Sequence, residues 1–425
     1  MRLDFRGVVA AVSACLIMVV GTFWAYERGG GDFSVFHEAW RLVLQGRGME
    51  IYRATPDRFL YAPGFAWLMA PLGALPRPWA LAVWCLAKSL VLGACVHALG
   101  RRSSLWAAAG AVALLARPIL IDFQYGQINL FILGTCVWAM LTHFGGARAR
   151  PSIRFISWFA LGIAAVTKIY PLALLGVPIG TLLNAKLVRT RNPKLNGTAA
   201  DRGLAPSVSV LAPEVQGALL GIGLVLFLPV LSTGLTQALS LHGQWIEALR
   251  GRGLPMESHN QSFAAFLHHT FTATSTHVVA LAQSRDYFIR ALVIPESTVL
   301  VISVAWATVA LLFTLGWMVR GARSGSELEW SAVLIALLIV PSHLVWKPYF
   351  VFGLPLAAVL LHRARGAPAW FGLAAVLVLI NFTGVDVLGY ETAGRVEAAS
   401  VLLWAHLAML VAGVALAYRE TRSTP

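Results

Sequence analysis

Charge is what this chain has least of. Asp, Glu, Lys and Arg make up 12% of its 425 residues, where a soluble domain carries about 25%. Hydrophobic residues fill 58% and mean hydropathy is +0.72, which excludes a soluble globular fold and indicates a polytopic membrane protein. Acidic residues are scarcer than basic ones, 19 against 33, for a formal charge of +14. This excess does not point to nucleic acid, because the basic residues sit in small groups between apolar runs and form no single stripe. The four cysteines, Cys15, Cys85, Cys95 and Cys136, lie inside apolar runs with neither disulfide nor zinc-ligand spacing, so they read as small core residues. The chain has no Asp-x-Asp pair, no glycine-rich nucleotide fingerprint and no His/Cys cluster. That argues against an enzyme that neutralises a nucleotide diphosphate with a divalent ion, and neither a metal site nor a cofactor is expected. No internal repeat is evident, which counts against a repeat-built transporter.

What the chain does have is apolar runs. A bilayer core needs about 20 apolar residues per helix, and candidates lie near 7–26, 79–99, 104–121, 127–144, 155–170, 171–185, 215–234, 298–320, 330–345, 349–362, 368–385 and 399–418. Several are short, so eleven to thirteen membrane helices are expected in an all-α fold of one domain, 1–425. Arg2 and Arg6 precede the first run, which no small-residue cleavage site follows, so it reads as a retained anchor. Alternate connections then carry Arg101 and Arg102; Arg148, Arg150 and Arg154; Arg320 and Arg323; Arg363 and Arg365; Arg419 and Arg422. This is a positive-inside pattern, provided that the Pro-interrupted segment 60–75 does not fully cross. Residues 27–78 and 235–297 are then long external loops, the second with enough apolar and aromatic residues for short helices on the membrane surface. The basic, turn-rich stretch 186–213 reads as a flexible cytoplasmic linker.

With that topology the unusual polar residues gather on the outer side. Asp32 follows the first run, Tyr61 precedes the Pro63 turn, and Arg117, Asp122, Gln127 and Asn129 cluster at one helix end. Lys168 lies at another outer end, His259, Asn260 and Gln261 in the second loop, and His343, Trp346, Lys347 and Tyr349 between two late runs. Folding alone explains this poorly, since an ionisable group at membrane depth costs several kcal/mol unless it faces a cavity or a partner. An acidic side chain at the membrane boundary is placed for chemistry on a lipid-borne substrate. Competing roles stand beside that one: a turn cap for Asp32, snorkelling for Arg117 and Lys168, helix capping for Asn129 and an interfacial anchor for Tyr61.

The order of several short motifs resembles the family 87 glycosyltransferases, integral-membrane enzymes of the GT-C class that use polyprenyl-phosphate sugars. These are Asp32-Phe33 followed by Gly46 and Ile51-Tyr52, Phe59-Leu-Tyr61-Ala-Pro63 leading to Ala70-Pro-Leu-Gly-Ala-Leu-Pro76, and Tyr125-Gly-Gln127-Ile-Asn129-Leu. Lys168-Ile-Tyr-Pro171, Asn260-Gln261-Ser262 and the Trp346 to Tyr349 pair complete the set. The resemblance implies a GT-C membrane fold in the inner membrane with its site on the extracytoplasmic face. It also implies transfer of a sugar such as mannose from a polyprenyl monophosphate to a glycan or glycolipid, with Asp32 as the catalytic carboxylate. An unperturbed aspartate, with a pKa of about 4, is ionised at neutral pH and can take the acceptor's hydroxyl proton. An inverting displacement needs no enzyme-bound nucleophile, because base and leaving phosphate lie on opposite faces of the sugar.

Arg117, Lys168 and Lys347 are candidates to hold the leaving phosphate, since a monophosphate can be held by cations without a metal. Tyr61, Gln127, Asn129, His259, Asn260, Gln261, His343 and Tyr349 are candidates for substrate contacts. One departure stands out: the family's late motif reads Ser-Trp-x-His, and here Pro348 takes the histidine's place in Trp346-Lys347-Pro348-Tyr349. His343, about a helical turn earlier, can reach the same region. A transporter or lipid-linked-sugar flippase, or an idle scaffold, are the alternatives, and Asp32→Asn separates them from an enzyme.

Overall fold

The computed structural model describes residues 5–55, 59–145, 149–181, 208–252, 257–273, 276–280, 283–287, 292–322 and 326–423. Most of the expected linker 186–213 lies outside the described residues, as do Arg148 and Arg323. The fold is helical and polytopic. Five helices are long and apolar enough to cross a membrane: α1 (Phe5–Glu27), α5 (Arg77–Gly100), α11 (Val208–Phe227, continued by α12, Val230–Thr233), α15 (Glu296–Arg320) and α20 (Val401–Ser423). Two bent pairs, α6 (Leu105–Leu114) with α7 (Ala116–Gln124) and α18 (Gly366–Asn381) with α19 (Val385–Ala398), bring the number to seven if each pair is one span. The other apolar runs form shorter helices: α8 (Asn129–Phe144), α9 (Pro151–Thr167), α10 (Tyr170–Thr181), α16 (Glu327–Leu337) and α17 (Leu354–Arg363). The eleven to thirteen runs of the sequence therefore resolve into helices of unequal length, and many fall short of a full span.

Among the described residues no membrane-length helix lies between α1 and α5. That stretch holds α2 (Gly31–Leu44), α3 (Ile51–Ala54), α4 (Pro63–Met69) and a 3-10 turn over Ala70–Ala74. Between α12 and α15 lie α13 (Leu235–Arg250), α14 (Phe263–Phe271) and an antiparallel ribbon of β1 (Thr276–Ala280) and β2 (Gln283–Tyr287), registered Thr276↔Tyr287 through Ala280↔Gln283. This ribbon is the one sheet among the described residues.

Small residues set the tightest helix pair. Gly217 and Gly221 of α11 face α9 so closely that a Cβ at the first would overlap the Phe155 carbonyl oxygen and one at the second that of Phe159. This is a small-xxx-small contact, in which the lack of a side chain lets two backbones meet. The bends have a chemical cause as well. Pro118 has no N–H to give the Leu114 carbonyl one turn back, and the Asn381 side chain takes over, donating to Leu114 O at 2.9 Å and accepting from Arg117 N at 2.8 Å. A side chain of one broken helix thus satisfies the backbone freed in the other.

The two ends of the bundle differ. At one end His143 and Arg154 meet Glu214 at 3.0 and 2.9 Å, and Arg363 meets Glu329 at 2.7 Å, tying α8, α9 and α11 together and α16 to α17. At the other end, where α1 finishes and α2, α8 and the 3-10 segment Lys347–Gly353 begin, lie Asp32 and most of the other candidates.

Candidate functional site

A run of three glycines positions Asp32. Gly29, Gly30 and Gly31 have φ of 66°, 67° and 26°, in the left-handed region that favours glycine, and they turn the chain from α1 into α2. Phe33 N–H then donates both to Gly30 O (2.6 Å) and to Tyr125 O (3.1 Å), clasping the start of α2 to the turn after α7. That turn depends on Gly126, at φ 62°, where a Cβ would lie 2.5 Å from Phe33 Cβ. Trp84 Nε1 donates to its carbonyl at 2.9 Å. The clasp sets Asp32 against Gln127, whose Nε2 donates to Asp32 Oδ2. Asp32 is half-buried in the first turn of α2, where the helix macrodipole favours negative charge. Gln127 is buried, and its Oε1 has no hydrogen-bond partner. A substrate hydroxyl reaching Asp32 would find that acceptor beside it.

Next to this pair a chain of polar contacts crosses from α5 to α10. Lys88 and Asp122 are fully buried and paired at 2.6 Å, with Lys88 Nζ also donating to Asp122 O. Asn129 Nδ2 donates to Asp122 Oδ2 at 3.0 Å, and its Oδ1 accepts from Lys168 Nζ at 2.8 Å and from Tyr170 Oη at 3.0 Å. With an anion on one side and a cation on the other, the Asn129 amide has one sensible orientation. Asn129 makes no capping bond, so the network takes the place of the expected cap.

Aromatic rings complete the wall. Lys168 Nζ lies 4.1 Å from the Tyr349 ring centroid, 5.7 Å from that of Tyr61 and 6.0 Å from that of Tyr170, within reach of cation–π attraction. Lys168 follows the last turn of α9. Burial pushes its ammonium down to about 7, while Asp122 and Asp32 act to raise it. Burial first, and then the Asp32 carboxylate, push the Tyr349 hydroxyl up; Tyr61 is raised for the same reasons with Tyr349 itself contributing, and Arg252 opposes the rise in both. Arg252, just past α13, lies 5.6 Å over the Trp346 ring, and among the described residues no carboxylate pairs with it.

Beside this wall opens an apolar cleft of about 240 Å³ between α4, α5, α8 and α9. Ile128, Trp84 and Thr167 line its inner side, next to Gln127, Asn129 and Lys168, and Leu68, Val83 and Ile163 line the remainder. The cleft is oily where the site is polar.

Other candidates are engaged elsewhere. Arg117 pairs with Asp386 at 2.6 Å and with the Asn381 carbonyl, at the meeting of the two helix bends. Lys347 binds Glu397, which His259 Nδ1 also approaches at 3.3 Å. Asn260 and Gln261 form a clasp: Asn260 Oδ1 accepts from Val345 N at 3.1 Å, Gln261 N–H donates to Val345 O at 2.8 Å, and Gln261 Nε2 donates to Ser258 O at 2.7 Å. His343 contributes its carbonyl to this clasp, accepting from Ser262 Oγ at 2.8 Å, while its residue surface is exposed. The structure thus gathers Asp32, Tyr61, Gln127, Asn129, Lys168 and Tyr349, and gives carboxylate partners to Arg117, Lys347 and His259. Sequence reasoning missed Lys88, Tyr170, Arg252 and Glu397. Tyr170 was within reach, as it stands inside the Lys168-Ile-Tyr-Pro171 motif.

Among the described residues no three His, Cys, Asp or Glu side chains gather in a way that could hold a metal ion. In comparison with known proteins, the Alpha-(1->3)-arabinofuranosyltransferase of Corynebacterium glutamicum is 28% identical over 155 residues, 33% of this chain and 37% of that protein. The chain therefore spans well under half the length of this curated relative. Through residues 59–187, which hold Tyr61, Lys88, Asp122, Gln127, Asn129, Lys168 and Tyr170, the chain matches Glycosyltransferase family 87.

Proposed function

We propose that the protein is a membrane glycosyltransferase that moves a sugar from a polyprenyl monophosphate to a glycan or glycolipid acceptor on the extracytoplasmic face of the inner membrane, with inversion and without a metal. The observation that carries this reading is the junction of a half-buried carboxylate, a half-buried lysine and an apolar cleft at one end of the bundle. The cleft suits a prenyl chain entering sideways from lipid. Lys168 and Arg252 suit a phosphate at its polar end, where a cation offsets the charge that grows on the leaving oxygens. Asp32 takes the acceptor's hydroxyl proton as that oxygen bonds to the anomeric carbon and the bond to phosphate breaks. Gln127 holds the carboxylate and offers Oε1 to a sugar hydroxyl. A hexose, with mannose first, is the proposed donor sugar; arabinofuranose, named for the Corynebacterium relative, is the second to test.

Membranes incubated with radiolabelled polyprenyl-phosphate sugars are expected to yield labelled product in wild type and at least about 100-fold less of it in Asp32→Asn. No labelled product with any sugar of the panel would overturn the reading. Chelation with EDTA is expected to leave turnover unchanged; full loss would show that a divalent ion, and not Lys168 and Arg252, holds the phosphate. A pH dependence follows from Lys168, whose ammonium is charged below about 7 and loses its proton above. Donor KM is expected to climb as pH rises through that value. Lys168→Arg is expected to flatten the climb, because a guanidinium stays protonated, and an unchanged profile in the variant would remove Lys168 from donor binding.

A further inference from the structure

α13 has three faces where a surface helix of a soluble protein has two. Ala238, Leu241 and Trp245 turn toward α3 and α4, and Trp245 Nε1 donates to the Leu60 carbonyl at 3.1 Å. Thr236, Gln237, Ser240 and Glu247 form an exposed polar face. Between the two runs a stripe of Leu235, Leu239, Ile246 and Leu249, 36–63% exposed, which at 3.6 residues per turn spans an arc of about 80°. Packing among the described residues does not account for this stripe, and water is a poor neighbour for it. The apolar surface continues beyond the helix, since Leu231 of α12 and Phe227 at the end of α11 are 85% and 63% exposed, on a helix long and apolar enough to cross the bilayer. Gly234, at φ 79°, then turns the chain into α13.

We infer that α13 is a membrane-surface helix, seated by its leucine and isoleucine stripe in the lipid boundary at the Asp32 end of the bundle. The occupant of the stripe is lipid. The stripe adjoins the lipid-facing surface of α11, and the three-way division of side chains matches the three media such a helix meets. The seat has a consequence for the site. Trp245 bonds the residue before Tyr61, and Arg252 follows the helix by two positions and lies over Trp346. Lipid contact on α13 therefore sets the height of Tyr61 and Arg252 relative to the head groups.

The test is independent of any substrate. Single cysteines at Leu239, Ile246, Gln237 and Ser240, in a Cys15→Ala background because Cys15 is exposed, carry nitroxides in the full chain reconstituted in phosphatidylethanolamine and phosphatidylglycerol vesicles. Labels at 239 and 246 are expected to collide with oxygen and to lose most of their collisions with a water-soluble nickel chelate, at a depth of about 5–10 Å below the phosphates. Labels at 237 and 240 are expected to show the reverse. Nickel collisions at 239 and 246 equal to those at 237 and 240 would put α13 in water, and shielding from both reagents would mean that protein covers the stripe; either result overturns the inference.

Discussion

Asp32→Asn is expected to lower turnover by about 10²–10⁴-fold, the usual contribution of a positioned general base, while donor binding stays near wild type. The substitution keeps size and hydrogen-bonding capacity, so the Gln127 contact can re-form on the amide oxygen and the clasp of Phe33 N–H to Tyr125 O is untouched. Among the described residues three carboxylates lie in or near the site, and two of them are poorly placed as bases. Asp122 is fixed to Lys88 and Glu397 to Lys347, each pair buried, so neither can meet an incoming hydroxyl without first giving up its partner. Asp32 is half-buried in the first turn of α2, with the Gln127 amide against it. Turnover in single-cycle assays, with donor binding measured separately, decides the matter, and wild-type turnover in the variant would remove Asp32 as the base.

Much of this site was legible because its residues sit at helix ends inside short motifs. Asp32 after a glycine run, Gln127 and Asn129 at the start of α8, and Lys168 after α9 are polar side chains at the edge of apolar runs, where a local pattern makes them stand out. The pairings were not legible. A lone lysine inside the apolar run 77–100 gives no local hint of Asp122, 34 positions away, and it reads as noise in a hydropathy profile. The partners of Arg117 and Lys347 were hidden for the opposite reason. Each is a cation at a helix end and looks available, yet the carboxylates that engage them, Asp386 and Glu397, come from a helix bent by 86° much later in the chain. The number of apolar runs was legible too, but not where proline and glycine would cut them into helices shorter than a bilayer.

Lys88→Met is expected to cost about 3–5 kcal/mol of stability, the usual result of leaving one member of a buried ion pair without its partner. Its ammonium is fully buried, pairs with Asp122 and lies 4.6 Å from the Phe123 ring centroid, so no water can replace it. Adding Asp122→Leu should recover most of the loss, since apolar residues of similar size substitute well for a buried pair. Function is expected to part from stability at that point. Asn129 then has no anion to hold its Nδ2, the amide is free to turn, and Lys168 and Tyr170 lose a fixed acceptor. The double variant should melt near wild type in detergent and still bind donor weakly, with the pH dependence assigned to Lys168 displaced. A double variant with wild-type donor KM at every pH would mean that the Lys88 and Asp122 pair holds helices together and does nothing for the position of Lys168.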